Sequence, residues 1–177
     1  TERAHVVTSL SDRLDELGVA PIGEQYLPLS PSELAELARR LGSSLPADYA
    51  HFASTYGRCR LEVTVRTVDG SGEFDLEEFF GGGQGHWHES VLGIQEEYAD
   101  RFPEGAFPIA ENLLGDLFLL WVSDPELPGS VWYASYYGLS WMDEKPTNAD
   151  GTWRVPCFLV ATTFTDLLTR AEIQEEL

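Results

Sequence analysis

Phe107-Pro108-Ile109-Ala110-Glu111-Asn112-Leu113-Leu114-Gly115-Asp116-Leu117-Phe118-Leu119-Leu120-Trp121 sets two apolar runs on either side of a short polar hinge centred on Gly115 and Asp116. Runs of this length bounded by a turn signal predict a strand, a turn and a buried strand. No reactive group is arranged in the segment, so it reports on architecture before chemistry.

Towards the N-terminus, Val6, Val7, Leu10, Leu14 and Leu17 recur at helical spacing from Glu2 to Leu17, and Gly18 is the stop. Val19 to Leu29 holds two prolines and a glycine and reads as a connector. Ser30-Pro31-Ser32-Glu33 opens a second helix with a capping box and a first-turn proline. Leu34, Leu37 and Leu41 mark its inner face, and Gly42 ends it. A third helix runs from Pro46 to Gly57 with Tyr49, Phe52, Ala53 and Tyr56 along one stripe, for which core packing is the default reading. Leu61, Val63 and Val65 then alternate with Glu62, Thr64 and Arg66, the pattern of a strand with one wet face. Asp69-Gly70-Ser71-Gly72 turns the chain into a hairpin partner over Phe74 to Phe80. Gly81 to Gly85 reads as a flexible connector to a helix from Glu89 to Arg101, with Val91, Leu92, Ile94 and Tyr98 facing inward.

Beyond Trp121, Ser130 to Tyr137 predicts an aromatic-rich strand, Asp143 to Gly151 a loop, and Val155 to Val160 a last strand. Thr163-Phe164-Thr165-Asp166 caps a C-terminal helix docked by Leu167 and Leu168. Helices come first, strands fill the middle and a helix closes the chain. That order predicts an α+β fold with an antiparallel or mixed sheet.

A chain of 177 residues fits one domain, with or without an extra terminal element. At that length roughly 70% of the unfolded surface is buried, so disulfides are not needed for stability. The two cysteines, Cys59 and Cys157, are far apart and in no metal-like pairing; whether they are bridged stays open. The net charge is -19, from 30 acidic and 11 basic residues, and Lys145 is the one lysine. Such a surface repels phosphate backbones and anionic lipid, so neither direct nucleic-acid binding nor membrane-surface binding is expected. It attracts a basic protein, although solubility or high-salt life is an equally physical use for the surplus. No apolar run approaches the ~20 residues that span a bilayer, and no cleavable export signal is visible. A cytoplasmic location is the expectation, with a trimmed leader before Thr1 left open.

Each candidate for chemistry has a plainer reading. Gly81-Gly82-Gly83-Gln84-Gly85 lacks the lysine and hydroxyl of a phosphate loop, and Asp75, Glu77, Glu78 and Glu89 oppose an anion. His86 and His88 share one side of an extended segment, but a stable zinc site needs further ligands, and His5, His51, Cys59 and Cys157 are scattered. Asp116 and Glu111 resemble an acid–base pair, which needs environments that push their pKa values apart; a turn aspartate bonding nearby backbone amides explains Asp116 more simply. No Gly-x-Ser-x-Gly element is present. The expectation is therefore no enzyme, no metal and no cofactor. The aromatic cluster of Trp132, Tyr133, Tyr136, Tyr137 and Trp141, followed by Asp143 and Glu144, is the better lead. If one strand face packs on the core, the other offers tyrosines beside carboxylates, a composition suited to a protein interface.

Several landmarks stand in a recognisable order: Leu45-Pro46-Ala47-Asp48-Tyr49, Phe52, Tyr56-Gly57, Phe107-Pro108-Ile109-Ala110, Gly115-Asp116, Gly129-Ser130-Val131-Trp132-Tyr133, and Thr163-Phe164-Thr165-Asp166-Leu167-Leu168. Together, over roughly Ser30 to Ala171, they resemble the SUKH superfamily and within it the Smi/Knr family. The resemblance implies N-terminal helices, a strongly bent, mostly antiparallel central sheet and a C-terminal helix. It divides the chain into residues 1–29, an N-terminal helix and connector outside the match, and residues 30–177, the family domain. It assigns Pro46, Tyr49, Phe52, Gly57, Pro108, Gly115, Asp116 and Phe164 to structure rather than catalysis. Many bacterial members are thought to be immunity proteins that bind a toxin, often a nuclease, and block it. Fungal members act as regulators linked to cell-wall synthesis.

Charge and resemblance together predict an antitoxin-like immunity protein that occludes a basic, polymorphic protein toxin. The residues assigned to the partner face are Glu77, Glu78, Trp87, Glu96, Glu97, Asp100, Tyr136, Tyr137, Trp141, Asp143 and Glu144. The alternatives are a regulatory scaffold of the fungal kind and a small-ligand or peptide sensor with a pocket bounded by Trp87 and Trp141. The identity of the toxin and the oligomeric state are open at this stage.

Overall fold

A computed structural model describes residues 9–83, 89–99, 101–135 and 157–175. Among these the chain forms an α+β fold, five helices against a curled antiparallel sheet. The elements, in chain order, are α1 (Leu10–Glu16), β1 (Ala20–Pro21), α2 (Pro31–Leu41), α3 (Ala47–Thr55), β2 (Cys59–Arg66), β3 (Glu73–Phe79), α4 (Val91–Glu97), β4 (Ala106–Glu111), β5 (Leu117–Trp121), β6 (Ser130–Ala134), β7 (Cys157–Ala161), α5 (Phe164–Arg170) and β8 (Glu172–Ile173). Strands β1 to β7 lie side by side in sequence order, and β8 adds to β2 beyond that path.

Local chemistry sets the helix ends. Ser30 accepts from the backbone of Glu33 while Glu33 accepts from the backbone of Ser30, so both orphan donors at the start of α2 are satisfied. Gly42 closes that helix in the left-handed conformation. Ser90 caps α4, which is shorter than the sequence predicts: it starts at Val91 and ends at Glu97. Thr163 caps α5.

Residues 106–110 of β4 and 117–120 of β5 are all buried, which is why the quoted segment reads as apolar runs rather than alternation. Pro108 is accommodated because the β4–β5 register shifts between Pro108 and Ala110, and because β3 pairs β4 only at Glu78↔Glu111 and Phe79↔Ala110. One sheet face carries Phe79, Phe107, Phe118 and Val131 into the core, where Tyr49 and Phe52 of α3 and Phe164 of α5 meet them. The Phe52–Phe164 and Phe52–Phe79 ring centroids are 5.0 and 4.8 Å apart. The sheet curls far enough for the β2–β3 turn to reach the opposite edge: the Val68 amide donates to the Leu159 carbonyl at 2.9 Å.

Two departures from the sequence reading concern connectors. Gly81 to Gly83 is a packed junction rather than a flexible link. Gly81 donates to the Glu89 carbonyl, Gly82 to the Leu27 carbonyl and Gly83 to the Glu33 carboxylate. A Cβ on Gly81 would lie 2.5 Å from the Leu27 oxygen, and one on Gly82 2.7 Å from Leu29 Cα, so glycine is required by close approach. The Val19 to Leu29 connector contributes β1, which pairs Ala20 with Arg60 and Pro21 with Cys59. The N-terminal helix is described from Leu10 and ties itself to α5 through Arg13, whose guanidinium donates to the carbonyls of Leu168, Thr169 and Ala171.

Candidate partner-binding face

Strand β2 alternates strictly: Leu61, Val63 and Val65 are buried while Arg60, Glu62 and Arg66 are exposed. Register then assigns the neighbours to the same outer face. Glu73 lies opposite Arg66, Asp75 opposite Thr64, Glu78 opposite Arg60, Glu111 opposite Glu78, and Glu172 of β8 opposite Thr64. Glu62, Glu73, Asp75, Glu78, Glu111 and Glu172 therefore share a face with Arg60 and Arg66. Arg60 pairs with Glu78 at 3.8 Å and Arg66 with Glu73 at 3.5 Å. Among the described residues Glu62, Asp75, Glu111 and Glu172 form no ion pair on that face, so it carries a net negative potential.

At the end of β4 three carboxylates, Glu78, Glu89 and Glu111, meet two arginines, Arg58 and Arg60. Glu111 is half-buried, and its pKa is raised above the ordinary carboxylate value. Burial is the largest cause, the like charge of Glu78 adds to it, Arg58 opposes it and Glu89 raises it further. Arg58 itself pairs with Glu89 at 3.2 Å. A cluster of carboxylates short of cations is an acceptor for lysine and arginine side chains. Among the described residues no group of three or more His, Cys, Asp or Glu side chains is arranged to hold a metal ion, and no helix is long and apolar enough to cross a membrane.

The predicted partner residues separate. Glu78 joins this face. Glu77 is only 9% exposed, because the register shift between Arg60 and Val63 moves it out of the alternation, and its Oε2 has no hydrogen-bond partner. Glu96 and Glu97 are exposed on α4. Trp87, Asp100, Tyr136, Tyr137, Trp141, Asp143 and Glu144 lie outside the described residues, as do His86 and His88. Within the described part of β6 both faces are largely covered: Tyr133 is 6% exposed and stacks on Phe74 at 3.7 Å, and Trp132 is half-buried with its indole donating to Ser130.

The reading of Asp116 as the residue that bonds turn amides is corrected by the structure. Asn112 does this: its Oδ1 accepts from the amides of Leu114 and Asp116. The Asp116 carboxylate is buried and accepts the Tyr133 hydroxyl. Sequence reasoning also passed over Leu113 and Leu114, which are 85% and 73% exposed at the tip of the β4–β5 turn. The signal was present, since a turn whose geometry needs only Asn112 and Gly115 has no fold-related use for two leucines. The cysteines are both free, and burial pushes each thiol up to about 12.

The described residues thus form a curled antiparallel sheet packed by helices, with an anionic outer face on β2, β3, β8 and the end of β4. The chain belongs to the SMI1 / KNR4 family (SUKH-1), whose profile matches residues 28–170. It is similar to the SPbeta prophage-derived uncharacterized protein YokK of Bacillus subtilis (strain 168), with 32% identity over 128 residues covering 62% of this chain and 65% of that protein. The chain thus spans less than two thirds of that relative's length.

Proposed function

We propose that the chain is a non-catalytic immunity protein that acts in the cytoplasm, binding a basic protein toxin stoichiometrically and blocking it by occlusion. The observation that carries this reading is the outer face of β2, β3, β4 and β8, where carboxylates outnumber arginines. Family membership supports it, since the resemblance to bacterial SUKH members implies toxin neutralisation. Long-range attraction raises association above the ~10⁵–10⁶ M⁻¹s⁻¹ of an unsteered pair, toward ~10⁸ at low salt. Close contacts then set how slowly the complex separates.

The test is co-expression. The genes flanking this one are searched for a large polymorphic toxin, and the C-terminal domain of that toxin is produced in cells with and without the chain. The proposal predicts restored growth and a stoichiometric complex on purification. Unrelieved toxicity with both proteins folded would overturn it.

A further inference from the structure

Leu113 and Leu114 are the two most exposed large hydrophobic side chains among the described residues, and they are adjacent. They sit on a turn that satisfies itself. The Gly115 amide donates to the Asn112 carbonyl at 3.0 Å, the Asn112 amide donates to the Asp116 carbonyl at 3.1 Å, and Asn112 Oδ1 accepts two further amides. Gly115 takes the positive φ of 82° that the turn requires. Asn112 is only 8% exposed, so the base of the turn is buried and fixed while its two central side chains project into water. A single exposed leucine is unremarkable in any protein; two at the tip of a rigid turn form a ready-made apolar knob. Because the turn is already ordered, docking it costs little conformational entropy.

The surroundings of the knob say what it fits. Glu111 immediately precedes the turn and faces Glu78 across the strands, with Arg58 and Glu89 within electrostatic reach. Glu78 pairs with Arg60 and Glu89 with Arg58, so Glu111 supplies the carboxylate left over beside the knob. We infer that the Leu113–Leu114 turn is the anchor by which this chain engages its partner, and that the partner presents an apolar pocket rimmed by lysine or arginine. This rests on the toxin-binding reading and deepens it by naming the point of contact. The acidic residues steer, and the leucines hold.

The experiment uses the full chain and the purified C-terminal domain of the toxin identified by the co-expression test above. Binding kinetics are measured for the wild type and for Leu113→Ser/Leu114→Ser, with thermal melting of both. The expected result is affinity lower by about 100-fold, the size set by burial of two leucine side chains, with most of the loss in the dissociation rate and the melting temperature unchanged. In parallel, acrylodan is attached to Leu113→Cys in a Cys157→Ser background, the remaining native thiol, Cys59, being buried. Its emission shifts to the blue on adding the toxin domain, whereas the same dye on Ser44→Cys does not respond. The dye keeps the test valid if the double variant folds poorly. Unchanged affinity with an unmoved dye spectrum overturns the inference and leaves the toxin-binding reading standing. A fall in affinity with an unmoved dye spectrum also overturns it, because the leucines would then act indirectly. Absence of wild-type binding overturns both. A dimer in sedimentation that the double serine variant disperses would assign the knob to a second copy of this chain instead.

Discussion

The Tyr133 hydroxyl donates to the Asp116 carboxylate, and both residues are buried although one belongs to β6 and the other to the turn before β5. Asn112 orients the turn from below, so the hydrogen bond joins the exposed tip to the third strand of the meander. Burial first, and then Asp116, raises the Tyr133 pKa well above its ordinary 10.0. Tyr133→Phe removes one donor from a buried carboxylate and is expected to cost about 1–3 kcal/mol in urea unfolding. A raised folded value for an acid means that the unfolded chain ionises first, so this contribution is present below pH ~10 and fades above it. A wild-type stability curve parallel to that of the variant through the alkaline range would refute the linkage.

Arg13 lies outside the family match yet binds three carbonyls at the C-terminus of α5. Those carbonyls have no helical partners, and the dipole favours a cation there. Arg13→Ala is expected to lower stability by about 1–2 kcal/mol, with Arg13→Lys intermediate because it loses the planar fork. Urea melts of the three proteins check this. Equal midpoints would show that α1 is only loosely attached.

Gly57 has a φ of 61°, and a Cβ there would lie 2.0 Å from the Leu27 carbonyl oxygen. Backbone cannot yield as a side chain does. Gly57→Ala is expected to destabilise by about 2–4 kcal/mol, whereas Gly42→Ala, at a similar φ with no atom within 4 Å, should cost about 1 kcal/mol. Thermal melting of the pair separates the steric effect from the conformational one.

Glu111→Gln probes the anionic face. Because the folded pKa of Glu111 is raised, chiefly by burial and then by Glu78, its ionisation opposes folding once the pH rises above the ordinary carboxylate value. The variant should therefore be slightly more stable than wild type at pH 7, by a fraction of a kcal/mol, and equal to it near pH 3. The reverse order at pH 7 would contradict the crowding of carboxylates at this point.

Much of the fold was legible because local signals agreed. The capping box at Ser30 and Glu33, the Leu61–Arg66 alternation and the apolar runs around Gly115 each specify one element. The landmark residues Tyr49, Phe52 and Phe164 proved to be one aromatic core, with Tyr49 and Phe164 5.4 Å apart. The outer face was less legible, since it depends on cross-strand register. Glu111 and Glu172 join Glu62 only because β4 and β8 pair where they do, and Glu77 leaves it because of one register shift. Gly81 and Gly82 misled for a similar reason: composition suggests freedom, while the requirement comes from the Leu27–Leu29 backbone lying against them.

The central claim is that negative potential on the sheet face brings a cationic partner in. Stopped-flow association of the chain with the toxin domain, from about 20 mM to 500 mM salt, tests it most directly. Screening shortens the range of the attraction as salt rises, so the association rate should fall by at least about tenfold, and Glu78→Gln/Glu111→Gln should flatten the dependence. An association rate that ignores salt, in wild type and variant alike, would contradict the account.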